Sequence, residues 1–230
     1  MPASIIPGNN GAATIAAVIF DLDGVLVDTA ELHYQSWADL AREHEIPFDR
    51  AANEALRGLS RPESLKIFLG THAQRFTEQE RLAIMDAKNT RYIERLKDLK
   101  PADALPGARE LLEALRARGV KIAVASSSKN ARPAIEQIGI GHLLDAVVDG
   151  RDITHSKPHP EVFLKAAQKL NTLPARCVVV EDAESGVEGA LAAGMAVIGI
   201  GPPERVGKAH HIVAGVADLD VDTVLSVKAR

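Results

Sequence analysis

The feature that most constrains this chain is a short apolar run that ends in two acidic residues. Ile15 to Phe20 is almost wholly apolar and rich in β-branched residues, which is the pattern of a strand buried on both faces of a parallel sheet. Asp21 and Asp23 follow directly, and Gly24 permits the chain to turn there. The sequence therefore predicts a buried strand whose end carries a pair of carboxylates.

Carboxylates this close repel each other unless a cation lies between them or one of them carries a proton. Mg²⁺ is the natural partner, because it prefers oxygen ligands. From these residues alone, an acidic turn that caps the following helix is the alternative. A calcium loop is excluded, since that motif needs Asp or Asn at its fifth position and Gly at its sixth, where this chain has Val25 and Leu26.

The pattern changes at Pro101. Residues 30–100 are helical in pattern almost throughout, and Ser60 and Thr77 each begin a capping box. From residue 101 onward helices alternate with short apolar strands, which predicts right-handed crossovers and a parallel sheet. The predicted strands are 15–20, 120–125, 146–148, 177–180, 196–200 and 212–213. The predicted helices are 29–45, 50–57, 61–69, 77–99, 108–118, 131–138, 160–170 and 186–193.

We therefore predict an α/β fold, in which a doubly wound, Rossmann-like parallel sheet forms the core and an α-helical cap domain is inserted into it. The core comprises residues 15–28 and 101–230, and the cap comprises residues 29–100. Residues 1–14, rich in Pro, Gly, Asn and Ala, are predicted to be a flexible leader. The two linkers, near 27–29 and 100–105, would let the cap open and close over the strand ends.

The charge and composition of the chain argue against several classes of function. The net charge is −4, with 27 basic and 31 acidic residues and 3% aromatic residues, so we expect no binding of nucleic acid. No segment reaches the roughly 18 apolar residues that span a membrane. No Lys or Arg precedes Arg42, so residues 12–20 lack the positive region of a signal peptide. We expect a cytoplasmic monomer in which the single Cys177 is a buried apolar residue without a disulfide partner.

Polar residues also follow other predicted strands, where ligands bind in open α/β sheets. Ser126 begins a polar run that ends at Asn130, Glu181-Asp182 follows strand 177–180, and Lys157 precedes the helix at 160. Carboxylates for a metal, hydroxyls and amides for an anion, and a lysine are the equipment of phosphoryl transfer. Taken singly, each has a simpler interpretation: a helix cap, an acidic turn or a surface charge. A P-loop motif is absent from the sequence.

These elements together resemble the motif set of the haloacid dehalogenase superfamily, and the resemblance extends from Ile15 to Ile200. It implies that Asp21 is the nucleophile that forms an aspartyl-phosphate and that Asp23 is the general acid and base. It also implies a Mg²⁺ cofactor, with the following ligands: Asp21, the backbone carbonyl of Asp23, and Asp182, with Glu181 close by. Ser126 would bind the transferring phosphoryl group, and Lys157 would offset its charge. Dehalogenases of this fold lack the second Asp, so Asp23 favours phosphoryl transfer.

Motifs in the predicted cap, together with several in the core, more specifically resemble those of the β-phosphoglucomutase family. The motifs that carry it are Thr29 to His33 with Trp37, Gly58 to Leu65, Lys88-Asn89, Ser126 to Asn130, Pro101 to Asp103 and Gly201 to Glu204. It implies that Arg61 binds the non-transferring phosphate, which suits a planar guanidinium. The other implied substrate-binding residues are His33, Trp37, Gly58, Ser60, Ser64, Lys88, Ser128, Lys129 and Asn130. Without the resemblance, Arg61 and His33 are ordinary helical residues.

The implied activity is that of an isomerase acting on small sugar phosphates. It would interconvert β-D-glucose 1-phosphate and D-glucose 6-phosphate through β-glucose 1,6-bisphosphate. Ser127 and Ala183 depart from the family pattern, where Ala and Ser are familiar, and leave the fine substrate preference open. The second hypothesis is a Mg²⁺-dependent sugar-phosphate or phosphoglycolate phosphatase, in which water attacks phospho-Asp21. The third is a non-enzymatic relative, which would have no need of the intact catalytic set. The motif from Gly58 to Leu65 favours the mutase.

Overall fold

The computed structural model of the chain describes residues 14–229, so the predicted leader, apart from Thr14, lies outside the described residues. Its strands are β1 (Ala17–Phe20), β2 (Lys121–Ala125), β3 (Ala146–Val148), β4 (Cys177–Glu181), β5 (Ala196–Ile200) and β6 (His211–Val213). They form one parallel sheet of six strands in the order β3-β2-β1-β4-β5-β6. This order is that of a doubly wound fold, which confirms the predicted fold class.

Strand β1 lies at the centre of the sheet, and its side chains alternate between two apolar layers. Val18 and Phe20 pack into the cluster on one face, and Ala17 and Ile19 pack into the cluster on the other. All four are fully buried, as a continuous apolar run in a parallel sheet requires. Both faces are covered by helices, so polar side chains are accommodated at the strand ends.

The helices lie close to their predicted positions. In the described residues they are α1 (Ala30–His44), α2 (Arg50–Glu54), α3 (Arg61–Leu69), α4 (Glu78–Leu96), α5 (Ala108–Ala117), α6 (Ala131–Gln137), α7 (Glu161–Lys169), α8 (Glu184–Ala192), α9 (Pro203–Val206) and α10 (Val221–Ser226). The sequence did not predict α9 and α10, which are too short for a clear apolar period. None of the helices within 14–229 is long and apolar enough to cross a membrane.

Helix α2 is shorter than predicted, and the difference concerns the site described below. The prediction extended it to residue 57, but it ends at Glu54, and residues 55–58 form turns. Leu56 and Arg57 donate their backbone N–H groups to carbonyls three residues earlier, at 3.0 and 3.2 Å, so the last turn tightens. Arg57 therefore leaves the helix and faces the end of the sheet.

Helices α1, α3 and α4 contribute to an apolar cluster of their own, in which Trp37 packs against Phe68 with ring centroids 4.7 Å apart. The two chain segments that join this cluster to the sheet run side by side, since Leu105 N donates to Leu26 O at 2.9 Å. These contacts support the predicted division, and we propose to call residues 29–100 the cap and residues 15–28 with 101–230 the core. All six strands of the described chain lie in the core.

Candidate active site

The register of the sheet places the predicted polar residues at one edge. Phe20 is level with Val124 of β2 and with Val180 of β4. Asp21 is therefore level with the last residues of the two neighbouring strands, Ala125 of β2 and Glu181 of β4, and Ser126 follows Ala125 directly. A short strand with a fixed parallel register is enough to bring residues more than 100 positions apart in sequence into one site.

Lys157 lies buried at the centre of this edge. Its Nζ contacts the carboxylate of Asp21 and donates to Glu181 Oε1 at 2.5 Å and to the carbonyl of Ala125 at 3.1 Å. Burial alone would lower the pKa of Lys157, but the charges of Asp21 and Glu181 outweigh it and raise that pKa above its ordinary value. Lys157 is therefore a charged ammonium group that holds two acidic side chains together.

Asp21, Glu181 and Asp182 form a buried acidic cluster whose ligand atoms lie within 4.8 Å of one another. Burial, followed by the charge of Asp21, raises the pKa of Asp182 to about 6. Gly24 makes room for this carboxylate: its φ is +86°, and a Cβ there would lie 2.3 Å from Asp182 Oδ2. An all-oxygen set of this kind fits the preferences of Mg²⁺.

The side chain of Asp23 points to a different partner. The buried hydroxyl of Thr29 donates to Asp23 Oδ1. Withdrawal of this carboxyl group from water, followed by the charge of Asp21, raises the pKa of Asp23 to about 6. Thr29 is the residue before α1, whereas the prediction had the helix begin at residue 29, and its side chain bonds to Asp23 and makes no capping bond to the helix.

The loop after β2 is fixed by its own hydroxyl groups. Ser126 Oγ accepts from the backbone N–H of Ser128 at 3.1 Å, and Ser128 Oγ accepts from that of Asn130 at 3.1 Å. In both contacts the hydroxyl is the acceptor, so its own proton remains available for an oxygen of a ligand. Ser126, Ser128, Lys129 and Asn130 all line the same cavity.

On the cap side, Lys88 is buried against His33. Lys88 Nζ lies 2.7 Å from His33 Nδ1 and 4.5 Å from the centroid of the Tyr92 ring. Burial, followed by the charge of Arg61, lowers the pKa of Lys88 to about 7. Burial, followed by the charge of Lys88, lowers the pKa of His33, so the neutral imidazole accepts this hydrogen bond. Tyr92, whose ring also packs on that of His33, was not predicted as part of the site.

Arg61 belongs to a chain of polar contacts between cap and core. Its Nη2 donates to Asn89 Oδ1 at 2.6 Å, and the amide of Asn130 donates to the same oxygen at 2.9 Å. A second contact crosses nearby, where the hydroxyl of Ser156 donates to Glu63 Oε2 at 2.5 Å. Glu63 also accepts from the N–H and hydroxyl of Ser60, as expected for the acidic member of a capping box.

A cavity of about 430 Å³ lies between cap and core. Thirteen of the predicted site residues line it: Asp21, Asp23, His33, Trp37, Gly58, Ser60, Arg61, Ser64, Lys88, Ser126, Ser128, Lys129 and Asn130. The other three, Lys157, Glu181 and Asp182, lie buried beneath its floor. The volume is in the range of small-molecule sites, and charged and polar side chains from both cap and core line the cavity.

The family model described as haloacid dehalogenase-like hydrolase matches residues 15–194 of the chain. The chain belongs to the haloacid dehalogenase-like hydrolase family. It is 40% identical over 208 residues to the β-phosphoglucomutase of Bacillus subtilis. That match covers 90% of this chain and 92% of the Bacillus protein. It is 31% identical over 216 residues to a phosphorylated carbohydrates phosphatase of Thermotoga maritima. That match covers 92% of this chain and 94% of the phosphatase. A crystal structure of a Clostridium difficile β-phosphoglucomutase superposes with a TM-score of 0.87 at 37% identity, covering 91% of this chain and 95% of the other.

Sequence reasoning missed Arg57, a charged residue at the site of this haloacid dehalogenase-like chain. Arg57 lines the cavity and donates from Nη1 to Asp182 Oδ2 at 2.6 Å, while its other nitrogens bond to Glu54. It precedes Gly58, where a Cβ would lie 2.7 Å from Ser185 Oγ and 2.8 Å from Ala183 Cβ. A glycine here lets the cap approach the core closely. The position of Arg57 within a predicted helix gave no sign of this contact.

Proposed function

We propose that the chain is a β-phosphoglucomutase, which interconverts β-D-glucose 1-phosphate and D-glucose 6-phosphate through β-glucose 1,6-bisphosphate. The observation that carries the proposal is one cavity lined by two groups suited to phosphate chemistry, Asp21 with its partner Lys157 in the core and Arg61 in the cap. A bisphosphorylated sugar needs both groups at once. The 40% identity to the Bacillus subtilis enzyme supports the same conclusion.

In the proposed reaction, Asp21 is the nucleophile. A carboxylate oxygen of Asp21 attacks phosphorus of the bisphosphate, an O–P bond forms to Asp21, and the bond from phosphorus to the sugar oxygen breaks. The sugar oxygen takes a proton from Asp23. In the return half, Asp23 removes a proton from a hydroxyl of the sugar phosphate, and that oxygen accepts the phosphoryl group from phospho-Asp21. After both halves, Asp21 is again a free carboxylate and Asp23 is again protonated.

The surroundings of Asp23 suit a group that must give and take a proton. A pKa near 6 makes both protonation states accessible at neutral pH. The hydroxyl of Thr29 is bound to Oδ1, which leaves Oδ2 to exchange the proton with the sugar. We therefore assign Thr29 as the group that positions Asp23.

The proposed Mg²⁺ site consists of Asp21, Asp182 and the backbone carbonyl of Asp23, with Glu181 close by and paired to Lys157. When bound, the ion neutralises charge between the phosphoryl group and Asp21, so that two anions can approach. Lys157 contributes fixed positive charge on the side of Asp21 and Glu181. The hydroxyl of Ser126 and the N–H groups of its loop would hold the remaining phosphoryl oxygens.

The cap residues would hold the rest of the substrate. We assign Arg61 to the phosphate that is not being transferred, because a guanidinium binds two phosphate oxygens together. His33, Trp37, Ser64 and Lys88 line the same cavity from the cap, and we assign them to contacts with the sugar ring. Ser128, Lys129 and Asn130 face the same space from the core. Binding energy gained at this distant end would be used to draw the cap closed and to exclude water.

A sugar-phosphate phosphatase is the second candidate, and the 31% identity to the Thermotoga maritima phosphatase favours it. Both reactions proceed through phospho-Asp21 and need the same core residues. They differ in what attacks the aspartyl-phosphate, a sugar hydroxyl or water. The hydrogen bonds that Arg61 of the cap and Asn130 of the core both donate to Asn89 link the two parts at the cavity, and they support the mutase.

One assay separates the two candidates. Glucose 6-phosphate and free phosphate are measured together from β-glucose 1-phosphate, with Mg²⁺ and a catalytic amount of the bisphosphate. The mutase produces glucose 6-phosphate with little free phosphate. Release of free phosphate in proportion to the sugar phosphate consumed, without glucose 6-phosphate, would refute the mutase proposal and support the phosphatase.

A further inference from the structure

A second cluster of metal-ligating side chains lies outside the cavity, on the loop that carries Lys157. His155, His159 and Glu161 each offer one ligand atom, and these atoms lie within 4.8 Å of one another. The two imidazole rings have centroids 4.6 Å apart, and His155 Nδ1 lies 3.1 Å from Glu161 Oε2. Both histidines are exposed, so an ion from solution can reach them.

The carboxylate of Glu161 is held in place and ionised. Lys165 Nζ and the N–H of Thr154 contact Oε1, at 2.7 and 3.1 Å, and the N–H of His155 donates to Oε2 at 2.8 Å. The hydrogen bond from Lys165, followed by those from the two backbone groups, lowers the pKa of Glu161 to about 2. Outer hydrogen bonds of this kind commonly orient the carboxylates that bind metals. Oε2 is the oxygen that faces the His155 ring.

The ring of His159 is also oriented by the start of α7. The backbone N–H of Glu161 donates to His159 Nδ1 at 3.3 Å, which orients the His159 ring against the first residue of α7. The hydrogen bond is long, and a metal–nitrogen bond would replace it at small cost. The cluster thus offers two imidazole nitrogens from the loop before α7 and one carboxylate oxygen from the first residue of that helix.

We propose that His155, His159 and Glu161 form a binding site for a borderline transition-metal ion, with Zn²⁺ as the expected occupant. Two imidazoles and a carboxylate are a donor set of Zn²⁺, whereas Mg²⁺ prefers oxygen ligands such as those of the acidic cluster. Water would complete the coordination. Lys157 lies midway in sequence between the two histidines. A bound ion would therefore link the two ends of segment 155–159, which carries Lys157.

The test is calorimetric titration of Zn²⁺ into the full chain, in excess Mg²⁺ so that the acidic cluster is occupied. The variant with both His155→Ala and His159→Ala is compared with His142→Ala, which removes an exposed histidine elsewhere. We expect one site of micromolar affinity in the parent and in His142→Ala. The double variant should lose at least about tenfold in affinity, since removal of outer-shell groups alone commonly costs that much. Equal Zn²⁺ binding by parent and double variant would overturn the proposal, as would its absence from the parent.

A spectroscopic measurement identifies the ligands. Co²⁺ in the same site should give visible absorption of tetrahedral intensity, and these bands should disappear in the double variant and weaken in Glu161→Gln. Because both histidines are exposed, the variants should remain folded, which thermal unfolding verifies. Identical Co²⁺ spectra of parent and double variant would contradict the assignment. The readouts are independent of the proposed sugar-phosphate reaction.

Discussion

Arg57 of the cap donates a hydrogen bond to Asp182 of the core, with Nη1 2.6 Å from Oδ2, and so joins the cap directly to the acidic cluster. The Asp182 side chain is 3% exposed and that of Arg57 is 21% exposed, so the pair is poorly screened by water. Burial alone would lower the pKa of Arg57, but the carboxylates of Glu54 and Asp182 raise it. Arg57 is therefore a permanent cation hydrogen-bonded to Asp182, the same carboxylate that is proposed to bind Mg²⁺.

The first prediction follows from this shared carboxylate. Arg57→Gln removes a positive charge from Asp182, which should raise the affinity for Mg²⁺ by about threefold or more, since a nearby cation opposes the binding of another. Calorimetric titration of Mg²⁺ into the substrate-free protein measures this affinity. Arg50→Gln is the matched control, because Arg50 forms an exposed ion pair with Glu31 of the cap. Weaker Mg²⁺ binding by Arg57→Gln would show that Arg57 serves instead to orient Asp182.

The second prediction concerns the nucleophile. Asp21→Asn should lower turnover by at least about ten-thousandfold, because the covalent step loses its attacking oxygen. Lys157 keeps Glu181 as a partner, so the fold should persist. Asp28→Asn changes an exposed carboxylate a few residues away and should leave turnover unaltered. Turnover of Asp21→Asn within tenfold of the parent, with an unchanged melting temperature, would refute the assignment of the nucleophile.

The third prediction concerns Lys88 and pH. Burial, followed by the charge of Arg61, lowers the pKa of Lys88 from 10.5 to about 7, so between these values the unfolded chain binds one more proton here than the folded chain. The free energy of unfolding therefore rises with pH across this window, by up to about 1.4 kcal/mol per unit, and below pH 7 the full penalty of burying the charge is present.

Lys88→Met removes the titrating group and should remove this contribution. Urea unfolding at pH 7 and pH 9 should give the parent about 2 kcal/mol more gain in stability than the variant. The exposed Lys66 of the same cap provides the control, since Lys66→Met should retain the pH dependence of the parent. An identical pH dependence in the parent and in Lys88→Met would show that Lys88 keeps an ordinary pKa in the folded protein.

The core of the site was predictable from sequence because parallel strands fix where their ends meet. Asp21, Ser126, Glu181 and Asp182 each follow an apolar run, and a doubly wound sheet aligns the ends of such runs. The capping box at Ser60 was equally local, since both of its members lie within four residues. In these cases short-range pattern and fold topology together determine the position of the side chain.

The contacts between cap and core were not predictable in this way. Arg57 lies within a run predicted to be helical, and only the tightened turn at residues 55–58 brings it to Asp182. The bridge from Asn130 through Asn89 to Arg61 likewise depends on how the cap and the core approach each other. Apolar periodicity and capping motifs report local structure, and they carry no information on such contacts.

The fourth prediction tests the distal phosphate. Arg61→Ala should reduce mutase turnover far more than phosphorylation of Asp21 by acetyl phosphate, because a small donor has no second phosphate for Arg61 to hold. We expect a loss of about a hundredfold or more in the first reaction and less than about threefold in the second, given the strength of charge-assisted hydrogen bonds to phosphate. Arg75→Ala, at an exposed position of the cap, should change neither. Equal losses in both reactions would show that Arg61 acts in phosphoryl transfer at Asp21 and does not hold the distal phosphate.

The central claim is that phospho-Asp21 gives its phosphoryl group to a sugar phosphate and not to water. Its most direct test is to phosphorylate the enzyme beforehand with Mg²⁺ present, and to follow its decay in buffer alone and after addition of β-glucose 1-phosphate. The account predicts discharge at least about a hundredfold faster with the sugar phosphate, a difference of roughly 3 kcal/mol in barrier, with the phosphoryl group recovered on the sugar. Equal decay in both conditions, with free phosphate as the product, would contradict it.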